Sequence, residues 1–317
     1  MKTNSASLNS EGLPNYGINY YLSKETIDES MGVPAVKPLI VSISGKNLED
    51  NITMLKTILS SDEKIDAIEL NLACPNVIGK PIIAYDFDQM RTVLEAVSKV
   101  QGIDKTPLGV KMPPYFDGPH FERAAAVLNE HKSVVRYVAS INTIGNALAI
   151  DVVSESPVIS SNQGFAGLSG RAVKFTALAN VRKMRTLLDP SIDVVGVGGI
   201  ESGSDAFEMI LCGATAVQVG TCHWKEGPKC FDRICSELET LMQSKGYQTI
   251  DDFRNKLKPW SKEGAALSRA AAKKTPSAVK DPLQTSSDGS SKLGLLCSIL
   301  VALVAMLLAD KLGIVTI

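Results

Sequence analysis

The chain has 317 residues, with 33 Lys and Arg against 34 Asp and Glu and three His, giving a formal net charge of −1. No basic excess is available to neutralise a phosphate backbone, so nucleic-acid binding is not expected. At 44% hydrophobic and 21% charged the chain is globular rather than disordered and long enough to bury a sizeable core. Its scattered cysteines include no C-x-x-C pair, and His120, His131 and His223 lack metal-ligand spacing, which argues against a disulfide scaffold and against any metal site.

Taken in chain order, Met1 to Asn9 is polar and lacks the apolar stretch of a secretory signal. Short β-branched runs follow at Pro38–Ser44, Ala67–Cys74, Pro107–Met112, Tyr137–Thr143, Asp193–Gly199 and Ala216–Thr221, each the pattern of a strand buried on both faces in a parallel sheet. Helical periodicity separates or follows them at Leu48–Ile58, Phe87–Val100, Phe121–Glu130, Thr176–Leu187, Ser204–Leu211 and Lys229–Lys245, several of these opened by an acidic or hydroxyl residue. Ser261 to Lys292 is rich in Ala, Ser, Lys and Pro without apolar periodicity and reads as a disordered linker. It leads into Leu293–Ala309, an uncharged run apolar on every side and at the short edge of what spans a bilayer. Asp310 and Lys311 end that run close to the C-terminus, which is the layout of a tail anchor.

Repeated strand-then-helix units make an α/β fold, either a doubly wound sheet or a (β/α)8 barrel. The barrel is favoured because Asn71, Cys74, Lys111, Asn142, Gly198, Gly199, Gly220 and Thr221 all fall at C-terminal strand ends, where barrel active sites sit. Gly198-Gly199 leads into a helix N-terminus, the usual barrel phosphate site. Cys74, followed by Pro75 and flanked by Asn71 and Asn76, is held among amides and is a candidate general base. Lys111 in GVKMPPYF is costly to bury without a partner, which implies an anionic cofactor or substrate. Asn71, Asn76 and Asn142 form a hydrogen-bonding cradle for a planar polar ring. The glycine-dense loop Gly164–Gly170 lets backbone approach a ligand. Gly196-Val197-Gly198-Gly199 lacks the spacing of a dinucleotide fingerprint, so no nicotinamide site is expected. Cys222, Cys230 and Cys235 belong to a helix and its lead-in, without a redox role.

The segments ELNLACPN, GKPIIAYDFDQM, PLGVKMPPYFD, SINTIGN, QGFAGLSG, TALANV, GVGGIESGSDAF, LCGATAVQVGT and KGYQTIDDFRNKL resemble, in order and spacing, the fumarate-type (class 1A) dihydroorotate dehydrogenases. The resemblance runs from Leu8 to about Trp260. It implies an FMN-containing (β/α)8 TIM barrel over residues 1–260, a cytosolic homodimer that oxidises dihydroorotate to orotate in pyrimidine synthesis and passes electrons to fumarate. Residues 261–292 are then the linker and 293–309 a transmembrane helix anchoring the protein to an intracellular membrane. Carried over residue by residue, Cys74 matches the general base. Asn9, Ser10, Glu11, Gly12, Leu13, Asn71, Asn76, Asn142 and Thr143 match substrate contacts, and Asn71, Lys111, Ile141, Gly170, Gly198, Gly199, Gly220 and Thr221 match flavin contacts.

Departures from the family pattern are Ala73 in place of Ser, Glu11 in place of Met, Ala147 in place of Gly, and Ala166 and Ser169 within the glycine segment. The Glu11 carboxylate would repel the carboxylate of orotate unless it faces solvent. The family's first two βα units, with an Ala-Gly turn at the flavin and a Lys-Ser pair, have no counterpart before Met1. The resemblance therefore implies an N-terminally incomplete barrel of about six strands, from a truncated gene product. A flavin-free, membrane-tethered non-catalytic relative is the alternative. A pyrimidine-reducing flavin barrel fits less well, because the matching segments extend beyond the active site.

Overall fold

A computed structural model describes residues 6–31, 37–73 and 82–274, divided into two units, Met1–Leu257 and Lys258–Ile317. The first unit opens with β1 (Ser7–Asn9), α1 (Ile18–Tyr21) and α2 (Lys24–Met31). Strands and helices then alternate: β2 (Ile40–Ile43), α3 (Leu48–Leu59), β3 (Ala67–Asn71), α4 (Phe87–Ser98), β4 (Leu108–Met112), α5 (Gly118–Glu130) and β5 (Val135–Ser140). An excursion of short strands follows, β6 (Ile144–Ala147), β7 (Ile150–Asp151), β8 (Ser156–Pro157) and β9 (Ala166–Ser169). Alternation resumes with α6 (Lys174–Leu187), β10 (Asp193–Val197), α7 (Gly203–Leu211), β11 (Ala216–Gln218), α8 (Thr221–Glu226) and α9 (Lys229–Lys245).

The local chemistry explains these boundaries. Asn47, Asp86, Asp117 and Ser202 each accept a hydrogen bond at the N-cap of α3, α4, α5 and α7 from an amide three residues on, satisfying one of the amides a helix start leaves free. Gly246, in the left-handed region at φ 75°, ends α9.

All six expected parallel strands form one sheet in the order β11-β10-β5-β4-β3-β2. One side of each strand is apolar: Ile68, Leu70, Leu108, Val110, Met112, Val138 and Val194 are fully buried against the helices. The alternate side carries Glu69, Asn71, Gly109, Lys111, Tyr137 and Gln218. Gln218 on β11 donates to Glu69 on β3 at 2.6 Å, although four strand steps separate them, about 19 Å in a flat sheet at ~4.8 Å per step. The sheet is therefore curled, with these polar groups on its concave face. Among the described residues β2 and β11 do not pair with each other, so the curl is an open arc of barrel type. Gly109 is required inside it, since a Cβ there would lie 2.1 Å from Cζ of Tyr137.

The short strands are a departure from expectation. Gly164–Gly170, read as a loop, contains β9, which pairs antiparallel with β1 on one side and β6 on the other. Strands of three or four residues are too brief to show a period of two.

In the second unit, Lys262–Lys274 forms α10, where the linker was expected to lack regular structure. Its Ala, Lys and Leu content favours helix by intrinsic propensity, and Ser261 Oγ accepts from the Gly264 amide at 3.0 Å. The remainder of the linker and Leu293–Ala309 lie outside the described residues. Among those described, no helix is long and apolar enough to cross a membrane.

Candidate active site

The C-terminal ends of the parallel strands bring together residues from five separate parts of the chain. Asn71, the last residue of β3, pairs in register with Lys111 of β4. Its Oδ1 accepts from the Ala73 amide at 3.0 Å and from Asn142 Nδ2 at 3.3 Å. Asn142 is placed by its own amide, which donates to the Met112 carbonyl at 2.8 Å, while Ile141 donates to Val197 at 2.9 Å. Asn142 Oδ1 then accepts from the Thr143 amide at 2.8 Å. Asn71, Asn142 and Thr143 therefore form one hydrogen-bonded ledge; Asn76, the third amide of the expected cradle, lies outside the described residues.

The three-stranded antiparallel sheet brings Asn9 toward that ledge, with the Ser10–Leu13 loop continuing from it. Asn9 of β1 is the register partner of Gly167 in β9. A Cβ on Gly167 would lie 2.3 Å from Thr143 Oγ1, so Asn9, Gly167 and Thr143 are stacked closely and Gly167 cannot carry a side chain without displacing Thr143. Thr143 Oγ1 is buried without a hydrogen-bond partner among the described residues. Ser10 is tied down by Ser161 Oγ, which donates to its carbonyl at 2.8 Å. Gly12 and Leu13 turn the loop with φ 74° and 62°, and Asn15 closes it through bonds to the Leu13 carbonyl and the Gly17 amide. Glu11 is exposed, which places its carboxylate on the solvent side of this loop.

On the opposite side, Gly170, Gly198, Gly199, Gly220 and Thr221 line one small pocket together with Gln218. A Cβ on Gly220 would meet nothing within 4 Å, so backbone there borders open space. Gly198 and Gly199 take φ 125° and 72°, and a Cβ on Gly199 would strike Lys174 at 2.6 Å. The helix after Gly198-Gly199 is not the free phosphate site expected of it: the first turn of α7 is already engaged by Ser202 Oγ and by Glu237, whose carboxylate accepts from the Gly203 amide at 2.8 Å. The start of α8, at Gly220-Thr221, has no side-chain cap. A larger cavity of about 600 Å³ lies between α3 and α4, lined by Lys56 and Glu95 among others, and shares no residue with this site.

Lys111 Nζ donates to Gln218 Oε1 at 2.8 Å and lies 3.6 Å from Glu69 Oε1. Burial pushes its pKa below the usual lysine value, and Glu69 opposes that shift. Sequence reasoning singled out Lys111 but missed Glu69 and Gln218. The available signal was a glutamate within the otherwise buried run Ala67–Asn71 and a glutamine in AVQVG, neither of which a buried strand tolerates unpaired.

Cys74 and Asn76 lie outside the described residues. Among the described residues no group of three His, Cys, Asp or Glu could hold a metal. His131 ends α5 and bonds the Val127 carbonyl, and His120 bonds Asp117. Burial and Glu226 push the Cys222 thiol up to about 12, which keeps it protonated and unreactive.

The family described as dihydroorotate dehydrogenase matches residues 1–242 of the chain. The dihydroorotate dehydrogenase (fumarate) of Saccharomyces cerevisiae is 50% identical over 252 residues, 79% of this chain and 78% of its own length. Dihydroorotate dehydrogenase A (fumarate) of Lactococcus lactis subsp. cremoris is 50% identical over 258 residues, 80% of this chain and 79% of its own. Among solved structures, DHODH from Eimeria tenella in complex with ferulenol superposes with a TM-score of 0.63 over 79% of this chain and 71% of that one. Its sequence identity is 20%, so that likeness bears on the α/β barrel-type fold alone.

Proposed function

This chain belongs to the dihydroorotate dehydrogenase family, and from that premise we propose that it oxidises dihydroorotate to orotate in pyrimidine synthesis, using FMN and delivering electrons to fumarate. The observation that carries the reading is the convergence of Lys111, Asn71, Asn142 and Thr143 at one end of the parallel sheet, where the β1–β9 pairing sets Asn9 opposite Gly167, itself packed on Thr143.

The residues present fit a flavin and the substrate ring it would oxidise. The glycine pocket leaves open space at Gly220 that a Cβ would fill, and the Thr143 hydroxyl, without a hydrogen-bond partner among the described residues, lies beside the amide ledge. Gly170, Gly198, Gly199, Gly220 and Thr221 would admit the phosphate side by close backbone approach. Lys111 and Asn71 would meet the ring, with Ile141, 2% exposed, closing its apolar side. When bound, FMN supplies the acceptor for the hydride lost from C6 of dihydroorotate.

In this reading Asn71, Asn142 and Thr143 orient the substrate ring, and the Asn9–Leu13 loop covers it and excludes water. Cys74 removes the C5 proton as a thiolate. Lys111 places positive charge where electron transfer builds negative charge, a stabilisation that grows as water is excluded.

Two further features belong to the proposal. We assign a homodimer, supported by the exposed apolar residues Ile150, Val152 and Val153 on the β7–β8 hairpin, 61%, 84% and 91% exposed. The catalytic part is assigned to the cytosol, with the uncharged run Leu293–Ala309 as membrane tether, on its sequence alone.

The test is to purify the full chain, record its absorption in the flavin bands, and follow orotate formation with fumarate as acceptor. Bound flavin and fumarate-dependent orotate are expected. A colourless protein that forms no orotate with FMN added would overturn the reading in favour of a non-catalytic relative.

A further inference from the structure

Three polar side chains meet on the concave face of the sheet. Lys111 donates to Gln218 Oε1 at 2.8 Å, Gln218 Nε2 donates to Glu69 Oε2 at 2.6 Å, and Lys111 Nζ stands 3.6 Å from Glu69 Oε1. The side chains of Glu69 and Lys111 are 6% and 16% exposed. An ammonium only donates and a carboxylate only accepts, so the Gln218 carboxamide has one orientation, oxygen to the lysine and nitrogen to the glutamate. Nothing in strand formation calls for a carboxylate at Glu69, and burying one is costly unless it is paired. Its position is informative: Glu69 lies two residues before Asn71 on the same face of β3, one layer deeper than the ledge at which Asn71 faces Lys111.

We propose that Glu69 is the positioning residue of Lys111, with Gln218 as the bridge between them. The carboxylate supplies the buried counter-charge that holds the ammonium inside the arc. The carboxamide takes one ammonium donor at 2.8 Å while the carboxylate stands at 3.6 Å, an arrangement that leaves ammonium donors for an anionic ring edge. This rests on the assignment of Lys111 to the flavin. Burial lowers the Lys111 pKa and Glu69 raises it, in keeping with the geometry. The other groups on the concave face are these. Tyr137 on β5 is held protonated by burial and by Glu69, β10 presents Val195 and Val197, with Asp193 at its exposed start opposite Tyr137 and bonded to Thr215, β2 presents Ser42, and Gln218 on β11 is neutral.

The experiment labels the full-length protein with 13Cε,15Nζ-lysine, assigns Lys111 from the signal missing in Lys111→Met, and titrates it in wild type, Glu69→Gln and Glu69→Asp. FMN itself is the second probe, by quenching of its fluorescence on binding. Glu69→Gln is expected to lower the Lys111 pKa by about one unit or more, and Glu69→Asp, which keeps the charge, to restore most of the difference even where either variant costs some stability. The FMN dissociation constant of Glu69→Gln should rise about fivefold or more at pH 9 and less at pH 6. Gln218→Leu should weaken FMN binding while moving the Lys111 titration less than Glu69→Gln does. An unchanged Lys111 titration in Glu69→Gln, with FMN binding still lost in Lys111→Met, overturns the positioning role and leaves the flavin assignment standing. FMN binding as tight in Lys111→Met as in wild type removes the assignment and the inference with it.

Discussion

At the scale of single residues, Thr143 separates function from stability. A buried hydroxyl without a partner among the described residues adds nothing to the fold there and costs its desolvation, so the nearly isosteric Thr143→Val should leave the melting temperature unchanged or raise it slightly. If the hydroxyl serves dihydroorotate, the same change should raise KM about tenfold, because the bound substrate loses its hydrogen-bond partner. Steady-state kinetics and a melting curve on one sample decide it; an unchanged KM removes Thr143 from the substrate contacts. Cys74→Ser tests the proposed base. A hydroxyl is far harder to ionise than a thiol of ordinary pKa ~8.5, so single-turnover reduction of bound flavin by dihydroorotate should slow, with the deficit shrinking as pH rises and flavin occupancy unchanged. Equal rates in the two proteins would exclude Cys74 as the base.

Among the elements, the short antiparallel sheet carries the substrate loop and depends on close packing. Gly167→Ala places a Cβ 2.3 Å from Thr143 Oγ1 and 2.8 Å from Thr143 Cβ, an overpacking expected to cost about 1–3 kcal/mol and to lower the melting temperature by several degrees. KM for dihydroorotate should rise with it, since Asn9 is the register partner of Gly167; a normal KM would mean that this sheet does not position the loop. The start of α7 offers a pH-dependent test. Glu237 accepts from the Gly203 amide and pairs with Arg233, and these two contacts, the amide bond foremost, hold its pKa below the ordinary glutamate value. A depressed folded-state pKa contributes stability above the unfolded value, lost as pH falls through the folded one. Glu237→Gln should therefore lower the melting temperature at pH 7, with the gap to wild type closing below about pH 4. A gap of equal size at pH 3 and pH 7 would show that the contact acts without its charge.

For the whole molecule, the chain divides into two units, and the candidate site lies wholly within the first. Removing Ser261 onward should leave fumarate-dependent orotate formation at the full-length rate and release the protein from membranes. The reason is energetic: burial of the Leu, Val and Ile side chains of Leu293–Ala309 is worth roughly 25 cal/mol per Å² of apolar area and is indifferent to salt, whereas surface lysines bind only electrostatically. High salt should accordingly fail to strip the full-length protein from a membrane pellet. Its appearance in the supernatant after a salt wash alone would sink the tether.

How much of this was legible in the chain follows from what local pattern can encode. The runs Ala67–Asn71 and Leu108–Met112 announce buried strands because alternate residues pack on helices, and Asn71, Lys111 and Asn142 are identifiable because polar side chains end otherwise apolar runs. The helix starts at Asn47, Asp86 and Ser202 are readable because capping is a contact three residues long. Periodicity carries no information about which distant strands meet. Glu69 and Gln218, 149 residues apart, are joined only because twist curls six strands into an arc. Asn9 comes opposite Gly167, which packs on Thr143, only because β1 pairs with β9, at a length too short to leave a pattern. Composition and spacing determined the α/β repeat and the chemistry of the strand ends; the tertiary structure decided which of those groups share a site, because long-range pairing depends on the geometry of the whole sheet rather than on any one segment of it.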